Sequence, residues 1–313
     1  MKGRAAALIG VDWGTTSARA YRIDAAGSVQ DTREAPLGIQ HVRGDFAQAL
    51  GTLVGDWLHE SLPRLACGMI GSRQGWVEVP YVESPATLDA LACGLVQTPD
   101  GALTIVPGLA GRDDDGTPDV MRGEETQIVG ALGADAPPAL AVLPGTHSKW
   151  AIVRDGAIHA FATYMTGEVY AVLRDHSILG RMADGAATTS TQPLADAAFT
   201  RGVRRALART SSTDTLLHRL FGARTLALRA DLAPRDTLDY LSGLLIGSEV
   251  AAARDWARAH GIAEGSVVLL GSPVLCARYA TALHEAGAAT EAGAEHAAAH
   301  GLWRIAKAAK LIP

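Results

Sequence analysis

Cysteine is scarce in this chain: three in 313 residues, at Cys67, Cys93 and Cys276. They stand far apart, so they offer neither a disulfide framework nor a metal-ligand spacing, and a reducing, cytoplasmic setting is the expectation. Positive charge is not in excess either. The formal net charge is −5 and the pI about 6.0, which leaves no basic field to attract nucleic acid or anionic lipid. No apolar run is long and clean enough to span a bilayer. The start, Met1 to Arg4 and then Ala5 to Val11, imitates a signal peptide, but the run stops at Asp12 without a cleavage-like end. Neither the Walker A loop nor the Rossmann glycine fingerprint is present. Two other signals fall away on inspection. Asp113-Asp114-Asp115 reads as a solvated loop, and Glu295 precedes His296 where a zinc helix would need a glutamate after its first histidine. Aromatic residues make up 5% of the chain and alanine is abundant, a balance that suits a helix-rich α/β protein.

What is present begins at Leu8-Ile9-Gly10-Val11-Asp12-Trp13-Gly14-Thr15-Thr16-Ser17. The apolar run reads as a buried strand that delivers one carboxylate and then a glycine and hydroxyls. A second strand, Ala18 to Ile23, follows at once, and Asp24-Ala25-Ala26-Gly27 turns the chain back. Gly14 lets backbone approach a ligand closely, and the amides and hydroxyls of Gly14 to Ser17 can cradle an anion. Asp12 suits a phosphate only through a divalent cation. The bland alternative for Asp12 is a strand-end carboxylate capping a turn.

Strands are expected over 5–12, 17–23 and 28–34, and an amphipathic helix over Phe46 to His59. Leu65 to Ile70 reads as a buried strand leading into the loop Gly71 to Trp76. Leu103 to Gly108 is another strand with a sharp stop, and residues 111–119 a polar exposed loop. A helix is expected from Met121 to Leu132 with two carboxylates in its first turn. The breaker Gly133 to Pro138 marks a boundary. After it the opening pattern recurs: strand Leu140 to Pro144, small-residue turn Gly145-Thr146-His147-Ser148, strand Trp150 to Arg154, hairpin Asp155-Gly156, strand Ala157 to Thr163. Helices are expected over 168–178, 195–210, 213–221, 235–260, 274–286 and 295–309, with Gly243 and Gly247 spaced for close packing in the fourth. Two domains follow, 1–135 and 136–313, closely apposed around a cleft.

The motifs Asp12-x-Gly-Thr-Thr, Gly145-Thr146 and Gly271-Ser272, each after a strand, resemble in order the phosphate 1, phosphate 2 and adenosine motifs of the actin/hexokinase/sugar-kinase superfamily. More narrowly, Gly68-Met69-Ile70-Gly71-Ser72, Val120 to Gln127, Pro144 to Trp150, Met165 to Glu168 and Ser242 to Glu249 resemble the 2-dehydro-3-deoxygalactonokinase family over essentially the whole chain. The resemblance implies two α/β, ribonuclease H-like domains with an interdomain ATP cleft. It also implies ATP-dependent phosphorylation of the 6-hydroxyl of 2-dehydro-3-deoxy-D-galactonate in galactonate catabolism. The N-terminal domain would hold phosphate 1 and the sugar acid, and the C-terminal domain phosphate 2 and adenosine. Another keto-sugar or sugar-acid kinase, or an actin/chaperone-like ATP switch, is the alternative. A homodimer is left open.

On that resemblance, Asp12 holds Mg²⁺, and Gly14, Thr15 and Thr16 wrap the outer phosphates of ATP together with Gly145, Thr146, Ser148 and Lys149. Gly271 and Ser272 meet the adenosine. Sugar kinases place an Asp in a Gly-Asp context before phosphate 2; here the dipeptide is Gly123-Glu124, so Glu124 is the candidate base, with Glu125 as fallback. Either carboxylate could instead only complement the helix dipole. An acceptor that is itself an acid calls for an arginine, and Arg19, Arg73 and Arg122 all compete with a plain surface role. His147 and Glu168, and with them His176, are further candidates for the sugar site.

Overall fold

The computed structural model describes residues 5–133, 136–181, 197–208, 215–262 and 266–313. The chain divides into two units. One comprises Met1–Pro138, Ala151–Phe161 and Gly293–Pro313; the other comprises Ala139–Trp150 and Ala162–Ala292. Ala134 and Asp135 of the expected breaker, and the outer ends of the helices expected over 195–210 and 213–221, lie outside the described residues.

The first unit opens with an antiparallel meander, β1 (Ala6–Trp13), β2 (Ala18–Asp24) and β3 (Val29–Ala35). Helix α1 (Phe46–Val54) follows, and β4 (Arg64–Gly68) then pairs parallel to β1. The expected helix to His59 is shorter because Gly55 takes φ +55°, and the next turn, Gly55–His59, is 3₁₀. Short strands β5 (Val82–Glu83) and β6 (Ala86–Thr87), which pair elsewhere, and helix α2 (Leu88–Cys93) come next, and strands β7 (Val96–Gln97) and β8 (Thr104–Ile105) complete a sheet ordered β3-β2-β1-β4-β8-β7. The 111–119 stretch is a hairpin rather than a loop, β9 (Leu109–Arg112) with β10 (Pro118–Met121), beside β5. Helix α3 (Glu124–Ala131) therefore starts three residues later than expected, because Met121 ends a strand.

The central strands β1 and β4 are buried on both faces, which is why they read as near-continuous apolar runs. Strand alternation sends Ile9, Val11 and Trp13 to the face packed with Phe46, Leu50 and Leu53 of α1. Leu8, Tyr21, Ile23 and Leu65 go to the other face, packed against Leu302 and Ile305 of the C-terminal helix Ala297–Ala308. Asp12 shares that second face by its register, opposite Cys67 on β4.

Strands β11 (Ala139–Leu143), β12 (Ser148–Arg154) and β13 (Ala157–Tyr164) repeat the order of the opening meander, as the duplicated pattern predicts. The hairpin at Asp155-Gly156 belongs to the first unit, where the start of β13 pairs with β6. Helices α4 (Thr166–His176), α5 (Ile178–Arg181), α6 (Ala197–Leu207), α7 (Leu216–Leu228) and α8 (Thr237–Ala259) follow. Strand β14 (Val267–Leu269) pairs parallel with β11 and with β15 (Thr290–Ala292), and α9 (Pro273–Glu285) lies between β14 and β15 in sequence. The paired glycines of α8 do what their spacing suggests. A Cβ on Gly243 would stand 2.0 Å from the Phe199 carbonyl oxygen, and one on Gly247 2.8 Å from the Ala206 Cβ, so α6 and α8 touch backbone to backbone. No helix among the described residues is long and apolar enough to cross a membrane.

Candidate active site

Asp12 sits one residue from the end of β1, beside Cys67, whose thiol donates to Asp12 Oδ1 at 3.9 Å. Burial pushes the Asp12 carboxyl up to about 6; Arg19 pulls it down and Glu124 pushes it further up. The turn after it closes through Gly14 N to Ser17 O at 2.9 Å. Its carbonyls are tied back by the next loop: Ile39 N donates to Gly14 O, Gln40 N to Thr15 O and Gly38 N to Thr16 O, at 3.1, 3.1 and 3.2 Å. The Trp13 indole anchors the same loop by donating to Leu37 O at 2.7 Å. The turn's acceptors are thereby occupied, and Thr16 and Ser17 are exposed.

Helix α3 enters through Gly123 at φ +109°, a conformation that a side chain would strain. Its two glutamates separate at once. Glu125 is 0% exposed; it accepts from Gly123 N at 2.7 Å and from the Thr126 hydroxyl at 2.9 Å. Burial first, and then Glu124, push its carboxyl up to about 8, so it is protonated at neutral pH. Glu124 is half-buried and accepts from the Arg122 amide at 2.9 Å. Cys67 lies among these acids; burial, then Asp12 and Glu125, push its thiol well up, which makes it an inert neighbour rather than a nucleophile.

The three arginines differ sharply. Arg19 is exposed and bonds Glu34 through Nε and Nη2 at 3.2 and 2.7 Å. Arg73 is exposed, 3.4 Å from Glu78. Arg122 is buried at 9% exposure. Its Nη2 donates to Val79 O at 2.8 Å and its guanidinium lies 4.2 Å from the centre of the Tyr81 ring.

In the second unit, the Gly145–Ser148 turn is held from beneath. Ser148 is 0% exposed, and its Oγ lies 3.5 Å from the Gly145 amide and 2.7 Å from the Tyr279 hydroxyl. Tyr279 donates to Glu249 at 2.7 Å, and Glu249 also accepts from the Trp150 indole at 2.7 Å. Burial raises the Glu249 carboxyl, and its hydrogen bonds from Thr166, Trp150 and Tyr279 oppose that. Helix α4 closes on the turn from the side: Glu168 N donates to Thr146 O at 3.0 Å, and a Cβ on Gly167 would stand 2.3 Å from Gly145 O. His147 Nε2 meets Glu168 Oε2 at 2.5 Å. Lys149 is buried and donates to the Thr163 hydroxyl at 2.7 Å. Gly271, at φ +118° and exposed, is adjacent to the turn: a Cβ there would be 3.8 Å from Pro144 O. Ser272 is the exposed residue before α9. His176, eight residues beyond Glu168 on α4, is ~12 Å further along the helix axis, so α4 does not bring it to the turn.

Within the first unit, then, Asp12, Glu124 and Arg122 come together with Glu125, Cys67 and Tyr81. Within the second, Gly145 to Ser148, Glu168 and Gly271 come together with Tyr279, Glu249 and Trp150. Sequence reasoning missed Tyr279, Cys67 and Tyr81, which no local pattern distinguishes from core residues. Glu249 did carry a signal, a lone carboxylate on the apolar face of α8. An anion-cradling turn, a carboxylate at its edge and a second carboxylate felt by the first are a donor set for phosphate chemistry. Among the described residues no three or more His, Cys, Asp or Glu side chains gather to hold a metal. Asp12 alone could contribute one ligand to a hard cation whose other ligands came from phosphate and water.

The chain resembles known proteins over nearly its whole length. A 2-dehydro-3-deoxygalactonokinase of Escherichia coli K12 is 36% identical over 283 residues, covering 90% of this chain and 91% of that one. A Rhizobium meliloti protein that carries the same name provisionally is 39% identical, covering 95% of this chain and 96% of its own. A crystal structure of a Sinorhizobium meliloti protein, also provisionally so named, superposes with a TM-score of 0.83 at 36% identity, covering 97% and 98% of the two chains. A more distant structure, component A of (R)-2-hydroxyglutaryl-CoA dehydratase from Acidaminococcus fermentans, has a TM-score of 0.51 at 13% identity over 97% and 100%, and shares the fold alone. The family profile for 2-keto-3-deoxy-galactonokinase matches residues 12–305, and this chain belongs to that family.

Proposed function

We propose that this chain transfers the γ-phosphoryl group of ATP to the 6-hydroxyl of 2-dehydro-3-deoxy-D-galactonate, giving the 6-phosphate, in the cytoplasmic breakdown of galactonate. The observation that carries the reading is the pair of carboxylates at the phosphate turn. Asp12 stands at its edge, and Glu124, half-buried rather than sealed, is close enough to raise the Asp12 carboxyl.

In the transfer, the acceptor oxygen forms a bond to the γ-phosphorus while the bond to the ADP oxygen breaks in line. Glu124 receives the proton that the hydroxyl loses. Glu125 does not compete, because it is protonated and has spent its oxygens on Gly123 and Thr126. Gly14, Thr15 and Thr16 form the phosphate 1 turn. Gly145 and Thr146 serve the outer phosphates, with Lys149 and Ser148 at the foot of that turn, and Gly271 and Ser272 serve the adenosine. Asp12 would hold Mg²⁺, which would supply neutralisation of the phosphate charge. His147, oriented by Glu168, faces the transferred group or the sugar. The acceptor's carboxylate draws on Arg19, Arg73 or Arg122.

Two variants test the assignment together. Glu124→Gln is expected to cut kcat by about 10²–10⁴-fold with ATP binding kept, as read by calorimetry. Asp12→Asn is expected to weaken Mg²⁺-dependent ATP binding itself. Near-native turnover in Glu124→Gln contradicts the base assignment.

A further inference from the structure

A guanidinium taken out of water is costly unless an anion or a full set of acceptors replaces the water. Arg122 is 9% exposed, yet among its contacts are one carbonyl, Val79 O, and one aromatic face, Tyr81. Its Nε and Nη1 are buried and have no hydrogen-bond partner. Space has been kept for the group: a Cβ on Gly71 would stand 2.9 Å from Nη1 and 3.0 Å from Ile105, so Gly71 in the Gly68 to Ser72 motif is the wall of the guanidinium pocket. Arg19 bonds a carboxylate of its own and Arg73 is solvated. Arg122 is two residues from the candidate base, and its amide holds that base's carboxylate.

We infer that Arg122 recognises the carboxylate of the sugar-acid acceptor and so sets the preference for an acid over a neutral sugar. The inference rests on the sugar-acid kinase reading and names the residue that reads the acid. Carboxylate oxygens accept from the donors that Arg122 now leaves unused, a charge-assisted contact that a neutral group does not match. Tyr81, 41% exposed, lies on the guanidinium face. Held there, the acid fixes one end of the acceptor within two residues of Glu124.

The test compares 2-dehydro-3-deoxygalactonate with its analogue in which the carboxylate is a primary amide, using the whole chain. Wild type is expected to prefer the acid. Arg122→Met is expected to lose about 10²-fold in kcat/KM on the acid, chiefly through KM, with the amide changed less than about threefold and KM for ATP unchanged. Arg122→Lys, which keeps the charge and stem, is expected to lose about tenfold on the acid alone, and it decides the matter if the Met variant does not fold. Acid preference that survives in either folded variant, or equal losses on acid and amide, overturns the inference. Wild type that phosphorylates neither compound overturns the kinase reading instead.

Discussion

Glu124 and Glu125 are adjacent in sequence and chemically opposite. The first residue of α3 remains half-buried, while the second is sealed against Gly123 and Thr126 and holds a proton to about pH 8. This has a consequence for stability. The folded chain keeps a proton that the unfolded chain releases near 4.5, so the stability tied to that proton is complete below about 4.5 and is lost as pH rises to about 8. Glu125→Gln cannot ionise. In thermal melts, the midpoint of wild type relative to Glu125→Gln is expected to fall across that window and level off above it. Parallel curves contradict a protonated Glu125. The sequence ranks Glu124 ahead of Glu125 only through the Gly-Glu context; which of the two is sealed depends on which side of α3 meets the sheet and the C-terminal helix, and no local pattern contains that. Arg122 is the same case: three arginines look alike in sequence, and the fold removes water from one.

Two features outside the turns govern packing in the second unit. One is the contact of α6 with α8 at Gly243 and Gly247, legible from spacing alone. Gly243→Ala places a Cβ 2.0 Å from a backbone oxygen, so the helices must part, and a loss of about 1–3 kcal/mol is expected in urea unfolding. An unchanged midpoint contradicts the close crossing. The other is the chain Ser148, Tyr279, Glu249, Trp150 beneath the second phosphate turn. Glu249→Ala leaves the Trp150 indole buried and unpaired, about 1–3 kcal/mol, while the Tyr279 hydroxyl keeps Ser148 as its partner. Because Ser148 closes the turn onto Gly145, the same variant is expected to raise KM for ATP more than it lowers kcat. A stability loss with unchanged KM for ATP places the network in the core and not under the site.

For the whole molecule, the duplicated strand–turn–strand–hairpin–strand pattern was readable because both copies carry their turn chemistry in short local segments: Asp24 to Gly27 and Gly14 to Ser17 in one, Asp155-Gly156 and Gly145 to Ser148 in the other. The motifs around those turns also carried the family. What was not readable depends on distant packing: the return of the C-terminal helix to the first unit, the β9–β10 hairpin inside a polar stretch, and the tyrosines under and over the two site regions. Acceptor-dependent ADP release, followed with the purified chain, ATP and Mg²⁺ across a panel of sugar acids and neutral sugars, tests the central claim most directly. The account predicts that 2-dehydro-3-deoxygalactonate accelerates ADP release far above the acceptor-free rate and recovers a 6-phosphate; release that no sugar acid accelerates contradicts it.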